Sequence, residues 1–196
     1  MFDLNLSRLE DGFIVEIGSE KGKKIIDSAK DLFDEADRGL LDKRDSERLD
    51  VIKKVEDFVK ESDTPSIKEI HGKVKERYTS GIWMDESSTC VECGACNMVC
   101  PTCHCFLLFD EPDKDRMERY RIWDSCLYKT FARVAGGANP RRYLHERLRN
   151  RFEKKFDFFP NVLKEYACTG CGRCIEACPG KIDIRKVLRK LVTSNQ

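Results

Sequence analysis

Two stretches of the chain carry the same spacing of cysteines, Cys90-x-x-Cys93-x-x-Cys96-x-x-x-Cys100-Pro101 and Cys168-x-x-Cys171-x-x-Cys174-x-x-x-Cys178-Pro179, and no other feature constrains the fold as strongly. Three cysteines at steps of three wrap a chain around three corners of an iron-sulfur cubane. The fourth, followed by proline, is carried away to ligate the cluster held by the other run. Two copies of the pattern therefore imply two [4Fe-4S] clusters with crossed ligands.

Crossed ligation gives Cys90, Cys93, Cys96 and Cys178 to the first cluster, and Cys168, Cys171, Cys174 and Cys100 to the second. It ties the two runs together in space, although 67 residues, Pro101 to Ala167, separate them. Zinc also takes thiolates two residues apart, but a zinc ribbon has no use for the third cysteine or for the Cys-Pro ending. Disulfides fit poorly, because cysteines crowded beside Gly94, Gly170 and Gly172 suit metal wrapping and the sequence opens on no secretory signal.

With 196 residues, 40% of them hydrophobic, the chain suits one or two small domains with a modest core. A net charge of +1 with 36% charged residues carries no global signature of nucleic acid or of a membrane surface. No run approaches the roughly 18 apolar residues of a membrane span, and the expected location is the cytoplasm, where thiolates stay reduced enough to keep clusters.

The expected fold is mainly α: an α-helical ferredoxin with two [4Fe-4S] clusters over residues 81–196, preceded by a small α/β region over residues 1–80 that docks a partner. In the N-terminal region, Gly12 to Gly18 reads as a strand, and helical spacing follows from Ser19 to about Asp37, from Asp45 to about Glu61, and from Ser66 to Tyr78. Gly18 and Gly22 enclose three residues rather than the four of a phosphate loop, and no Lys-Ser or Lys-Thr follows, which argues against nucleotide binding. The insert between the cysteine runs is too long for the compact β-ferredoxin and reads as helical. Helices are expected from Ser125, capped by Asp124, to about Ala135, from Asn139-Pro140 to about Lys155, and over Pro160 to Tyr166, with a further one over Ile182 to Leu191.

Cys103, Cys105 and Cys126 remain. Free cysteine is commonly a buried apolar residue, but the tight Cys-x-Cys just beyond Cys100 leads us to expect a third [4Fe-4S] cluster. Three thiolates leave one corner open, for which Asp124 is the first candidate, ahead of His104 and His145. The basic run Arg141 to Arg151 is interrupted by Glu146 and carries Leu144, Leu148 and Phe152 at helical spacing. It reads as an amphipathic helix with a solvated or subunit-facing basic side rather than a nucleic-acid surface.

The residues now quoted carry a resemblance. The string from Cys93 to Phe106, together with Arg121 to Cys126, Ala135 to Arg141 and Cys168 to Ile175, resembles the dicluster electron-transfer subunit of cytoplasmic [NiFe] hydrogenases, the sulfhydrogenase β family, and its relative, the A subunit of anaerobic sulfite reductase. Val15 to Gly22 resembles a stretch upstream of the clusters in that family, whose members carry a longer region there. The resemblance implies a hetero-oligomer in which this chain sits beside a flavin-binding, ferredoxin-reductase-like subunit that handles NAD(P)H, and a further redox subunit. The expected role is a non-catalytic relay of single electrons. The rival reading is a catalytic or redox-sensing protein that uses the third site at Cys103, Cys105 and Cys126.

Overall fold

The computed structural model describes residues 2–194. They divide into two compact units, one ending at Asp63 and one beginning at Thr64, upstream of the 80/81 boundary read from the sequence.

The first unit is a hairpin and two helices. Strands β1 (Leu4–Leu9) and β2 (Gly12–Ile17) pair antiparallel, with Leu4 opposite Ile17 and Leu9 opposite Gly12. Helix α1 (Glu20–Asp27) follows, with the Ser19 hydroxyl accepting from the Gly22 N–H at 3.1 Å. Gly22 is there for contact: a Cβ would lie 2.0 Å from the carbonyl oxygen of Asp3, so only glycine lets α1 lie against the start of β1. The helix ends at Asp27 rather than Asp37, with the Ser28 hydroxyl donating back to the Ile25 carbonyl at 2.7 Å. After a 3₁₀ turn (Lys30–Leu32), Asp37 caps α2 (Arg38–Glu61), which starts seven residues earlier than its apolar spacing suggests. Arg44 and Arg48 of α2 grip Glu16 of β2 at 3.2 and 2.6 Å. The Arg48 hydrogen bond holds the Glu16 carboxyl below its ordinary range.

The second unit is mainly helical. The helix expected from Ser66 to Tyr78 is two short ones, α3 (Ile67–Ile70) and α4 (Lys73–Glu76), because Gly72 between them takes the left-handed conformation at φ 77°. α5 (Ile82–Ser87) leads to the first cysteine run and the one-turn helix α6 (Ala95–Met98).

The insert departs from its helical reading. After Cys105 the chain forms an antiparallel ribbon, β3 (Phe106–Asp113) and β4 (Arg116–Trp123), with Phe106 opposite Trp123. Phe109 and Tyr120 face each other across it at 5.4 Å between ring centroids. The segment expected as a helix over Ser125 to Ala135 is a series of turns closed by bonds between residues three apart, such as Tyr128 N–H to Ser125 O at 3.0 Å. Its start is tied elsewhere, since the buried Ser125 hydroxyl accepts from the Asn97 amide at 2.9 Å.

α7 (Leu144–Glu153) begins where Glu146 accepts from the Tyr143 N–H, and it runs on into a π-helical turn (Lys154–Phe158) and α8 (Phe159–Leu163). α9 (Arg173–Glu176) lies in the second cysteine run, and α10 (Ile184–Thr193) closes the unit. α10 buries Ile184, Val187, Leu188 and Leu191, the one-face spacing of an amphipathic helix. They join Ile70, Val74, Trp83, Leu127, Leu148, Phe152 and Phe156 in one core, against which Cys96, Cys168 and Cys174 pack. Trp83 is buried against Phe152 and donates to the Arg77 carbonyl at 2.7 Å. Among the described residues no helix is long and apolar enough to cross a membrane.

Candidate functional site

The two cysteine runs fold alike. In each, the glycine after the second cysteine, Gly94 or Gly172, takes φ near 70° (70° and 75°) and starts the one-turn helix that carries the third cysteine. One residue before the second cysteine the chain is left-handed again, at Gly170 (φ 69°) in one run and at Glu92 (φ 57°) in the other. A non-glycine residue is disfavoured there. Glu92 gains a partner in exchange, accepting from the buried guanidinium of Arg147 at 2.8 Å.

Each run's tail meets the other run's head. Ahead of Cys90, the Thr89 hydroxyl donates to the carbonyl of Gly180, just past Cys178-Pro179, at 2.8 Å. Past Cys100-Pro101, the Thr102 hydroxyl donates to the carbonyl of Ala167, ahead of Cys168, also at 2.8 Å. A first cavity is lined by Cys90, Cys93, Cys96 and Cys178, with Cys174 beside them and apolar walls from Leu127, Leu148, Ile182 and Ile184. Gly94 in its lining packs directly against the Tyr128 ring, where a Cβ would lie 2.7 Å from it.

Of the second predicted set, Cys100 lies within electrostatic reach of Cys171. Cys171 is exposed, and Cys168 and Cys174 are half-buried against the core. A hydrogen bond from Cys103 takes the Cys100 thiol down to about 3, helped by Thr102 and by Lys155, whose ammonium sits 3.2 Å from its sulfur. Burial pushes the Cys96 thiol up to about 11.

The third group shares a cavity, although among the described residues no three Cys, His, Asp or Glu side chains stand together as a ready metal-ion site. Cys103, Cys105 and Cys126 line one further cavity with His104, Arg151, Lys154 and Lys155. Asp124 is not among its lining residues; its carboxylate accepts from the Ser125 N–H at 2.7 Å. His145 stacks on Tyr143 at 5.6 Å instead. Cys105 and Cys126 share a hydrogen bond that lowers the former thiol and raises the latter.

Sequence reasoning missed the basic residues. Arg147 and Arg151 do not form a solvated face: they are 2% and 5% exposed, and Lys155 is 3% exposed. Spaced by four, they form one row along α7 and the π turn that points at the cysteine loops. Arg147 donates to the carbonyls of Leu127, Arg141 and Arg142 as well as to Glu92. Arg151 donates to Asn97 Oδ1 at 3.0 Å and to the Cys96 carbonyl at 3.4 Å. Lys155 joins Cys100 Sγ, Thr102 Oγ1 and the Ala167 carbonyl. Burial works against the Arg151 charge, but Cys96, Cys174 and Cys103 outweigh it and hold its pKa above the ordinary guanidinium range. The four-residue spacing was the available signal.

Cysteine sulfur donors, a first cavity edged by Gly94 and Gly180, and buried cations to offset negative charge fit iron-sulfur clusters. Residues 89–182, just under half of the chain, match the family described as a 4Fe-4S dicluster domain. The chain is similar to sulfhydrogenase 2 subunit beta of Pyrococcus furiosus, with 35% identity over 192 residues that cover 95% of this chain and 54% of that subunit. It thus spans about half the length of that curated relative. No solved structure matches the chain.

Proposed function

We propose that this chain is a non-catalytic electron-transfer subunit of an anaerobic oxidoreductase complex, relaying single electrons between a flavin-containing NAD(P)H-linked partner and another redox subunit. Cys90, Cys93, Cys96 and Cys178 hold one [4Fe-4S] cluster, and Cys168, Cys171, Cys174 and Cys100 hold the second. Such clusters supply one-electron transfer at a potential tuned by their surroundings. Complete cysteine ligation leaves no iron open to substrate, which is why no chemistry beyond the relay is assigned to these two.

The observation that carries the reading is the reciprocal placement of heads and tails, with Cys178 lining the same cavity as Cys90, Cys93 and Cys96. Cys103, Cys105 and Cys126 form the third site, with Asp124 proposed as the fourth ligand from the same turn as Cys126. It extends the path from Cys100 toward the β3–β4 ribbon. That ribbon exposes Phe106, Leu107, Leu108, Met117, Ile122 and Trp123, and a two-stranded ribbon is marginal alone in water, which supports a partner subunit there.

The test is anaerobic purification of the chain with iron and sulfide analysis and electron paramagnetic resonance (EPR). The relay requires at least about eight irons and as many sulfides per chain, and no hydrogenase, sulfite-reductase or NAD(P)H-oxidising turnover without partners. Zinc without sulfide, or turnover by the isolated chain at native rates, rejects it.

A further inference from the structure

Arg151 lines both cysteine cavities, and among the described residues those two cavities have no other lining residue in common. Its guanidinium is buried at 5% exposure, and the cysteines Cys96, Cys174 and Cys103, one from each of the three groups, lie close enough to act on its charge. Arg147, one turn earlier on α7, is different, because the Glu92 carboxylate pairs with it. A guanidinium withdrawn from water without a counter-charge is strongly disfavoured, so the charge at position 151 is matched to thiolate-bound groups.

The guanidinium is also fixed in place. Its Nε donates to Asn97 Oδ1, and Asn97 in turn donates to Cys126 Sγ at 3.1 Å and to Ser125 Oγ at 2.9 Å. Its Nη2 reaches the carbonyl of Cys96. This fork joins the first cysteine run to the turn that holds Cys126. A lysine there keeps the charge and loses the simultaneous bonds.

We infer that Arg151 is the potential-setting residue of the relay: its charge is the counter-ion shared by the first cluster and the adjoining cysteine sites, and it raises their affinity for the incoming electron. The inference rests on the cluster reading proposed above. An electron arriving on a cluster adds one negative charge, and a buried cation beside its ligands favours the reduced form over the oxidised one in low dielectric. Removing the charge therefore lowers the midpoint.

The experiment uses the full chain, loaded with clusters under anaerobic conditions, as wild type, Arg151→Gln and Arg151→Lys. Iron and sulfide are measured first, followed by EPR-monitored redox titration. With wild-type iron retained, Arg151→Gln is expected to lower the reduced-to-oxidised ratio of at least one cluster about tenfold at fixed poise, a shift of ~59 mV for one electron. Arg151→Lys should recover more than half of it. Midpoints in a fully loaded Arg151→Gln protein that equal those of the wild type overturn the inference. If Arg151→Gln fails to load, the lysine variant decides: loading with midpoints near the wild type supports the charge role, and failure of both variants reduces Arg151 to packing. Wild-type protein without cubanes rejects the relay itself, whereas two cubanes with potentials insensitive to residue 151 reject only this inference.

Discussion

The hydroxyl of Thr89 donates to the carbonyl oxygen of Gly180 at 2.8 Å, across 91 residues of chain. The contact is close on both sides, because a Cβ on Gly180 would lie 2.3 Å from the carbonyl oxygen of Thr89. Backbone at such a distance cannot yield as a flexible side chain does, so the approach of Cys178 to Cys90 depends on a glycine at position 180.

Gly180→Ala should therefore push the tail of the second run away from the head of the first. The expected result is loss of one cubane's iron, roughly four atoms per chain, with the second cluster's signal retained. Iron analysis and EPR of anaerobic protein check it; an alanine variant with full iron and unchanged spectra would show that the contact is dispensable.

Cys178→Ser should disturb the cluster anchored by Cys90, Cys93 and Cys96, and Cys100→Ser the one anchored by Cys168, Cys171 and Cys174. A serine oxygen is a harder ligand than thiolate and holds iron less well at that corner. Mössbauer or EPR spectra of the two variants should each lose a different component. Loss of the sequence-local cluster in either variant contradicts crossed ligation.

The meeting of each run's tail with the other run's head was legible from the cysteines, whose spacing is set by ligand geometry and not by the surrounding fold. Elements whose periodicity spans several turns were also legible: α10 was expected from Ile182 and begins at Ile184. The β3–β4 ribbon was not. Phe106 to Phe109 is an apolar run without a period, and its strand pairing with Tyr120 to Trp123 is long-range information that a local window does not hold. The inward basic row was missed for the same reason. Charges at Arg147, Arg151 and Lys155 suggest a solvated face unless their partners are known, and Glu92, Cys96 and Cys100 lie 55 residues upstream of them.

Glu92 offers a test of backbone strain. It holds a left-handed conformation where its counterpart in the second run is Gly170, and its carboxylate pairs with Arg147. Glu92→Ala keeps the strain and loses the pair, for which about 2 kcal/mol is expected, since Glu92 is partly solvated. Glu92→Gly loses the same pair but relieves the left-handed penalty, so it should be the more stable of the two by about 1 kcal/mol. Thermal unfolding of cluster-loaded protein ranks them, and an alanine variant as stable as the glycine one removes the strain argument.

Cys126 tests the third site without disturbing the other eight cysteines. Cys126 is 3% exposed, and its sulfur receives a hydrogen bond from Asn97 and shares another with Cys105, whose thiol that bond lowers to about 6. The neighbouring cations Lys154, Lys155 and Arg151 line the same cavity, so the pocket is built to hold negative charge rather than apolar thiols alone. Wild-type protein is expected to carry about twelve irons, and Cys126→Ala or Cys105→Ala about eight, with the EPR components of the first two clusters retained. Asp124→Ala should weaken the iron at the same site, because a carboxylate-bound corner is the most labile. Eight irons in the wild type, unchanged by Cys126→Ala, would reduce Cys103, Cys105 and Cys126 to packing and end the relay at the second cluster.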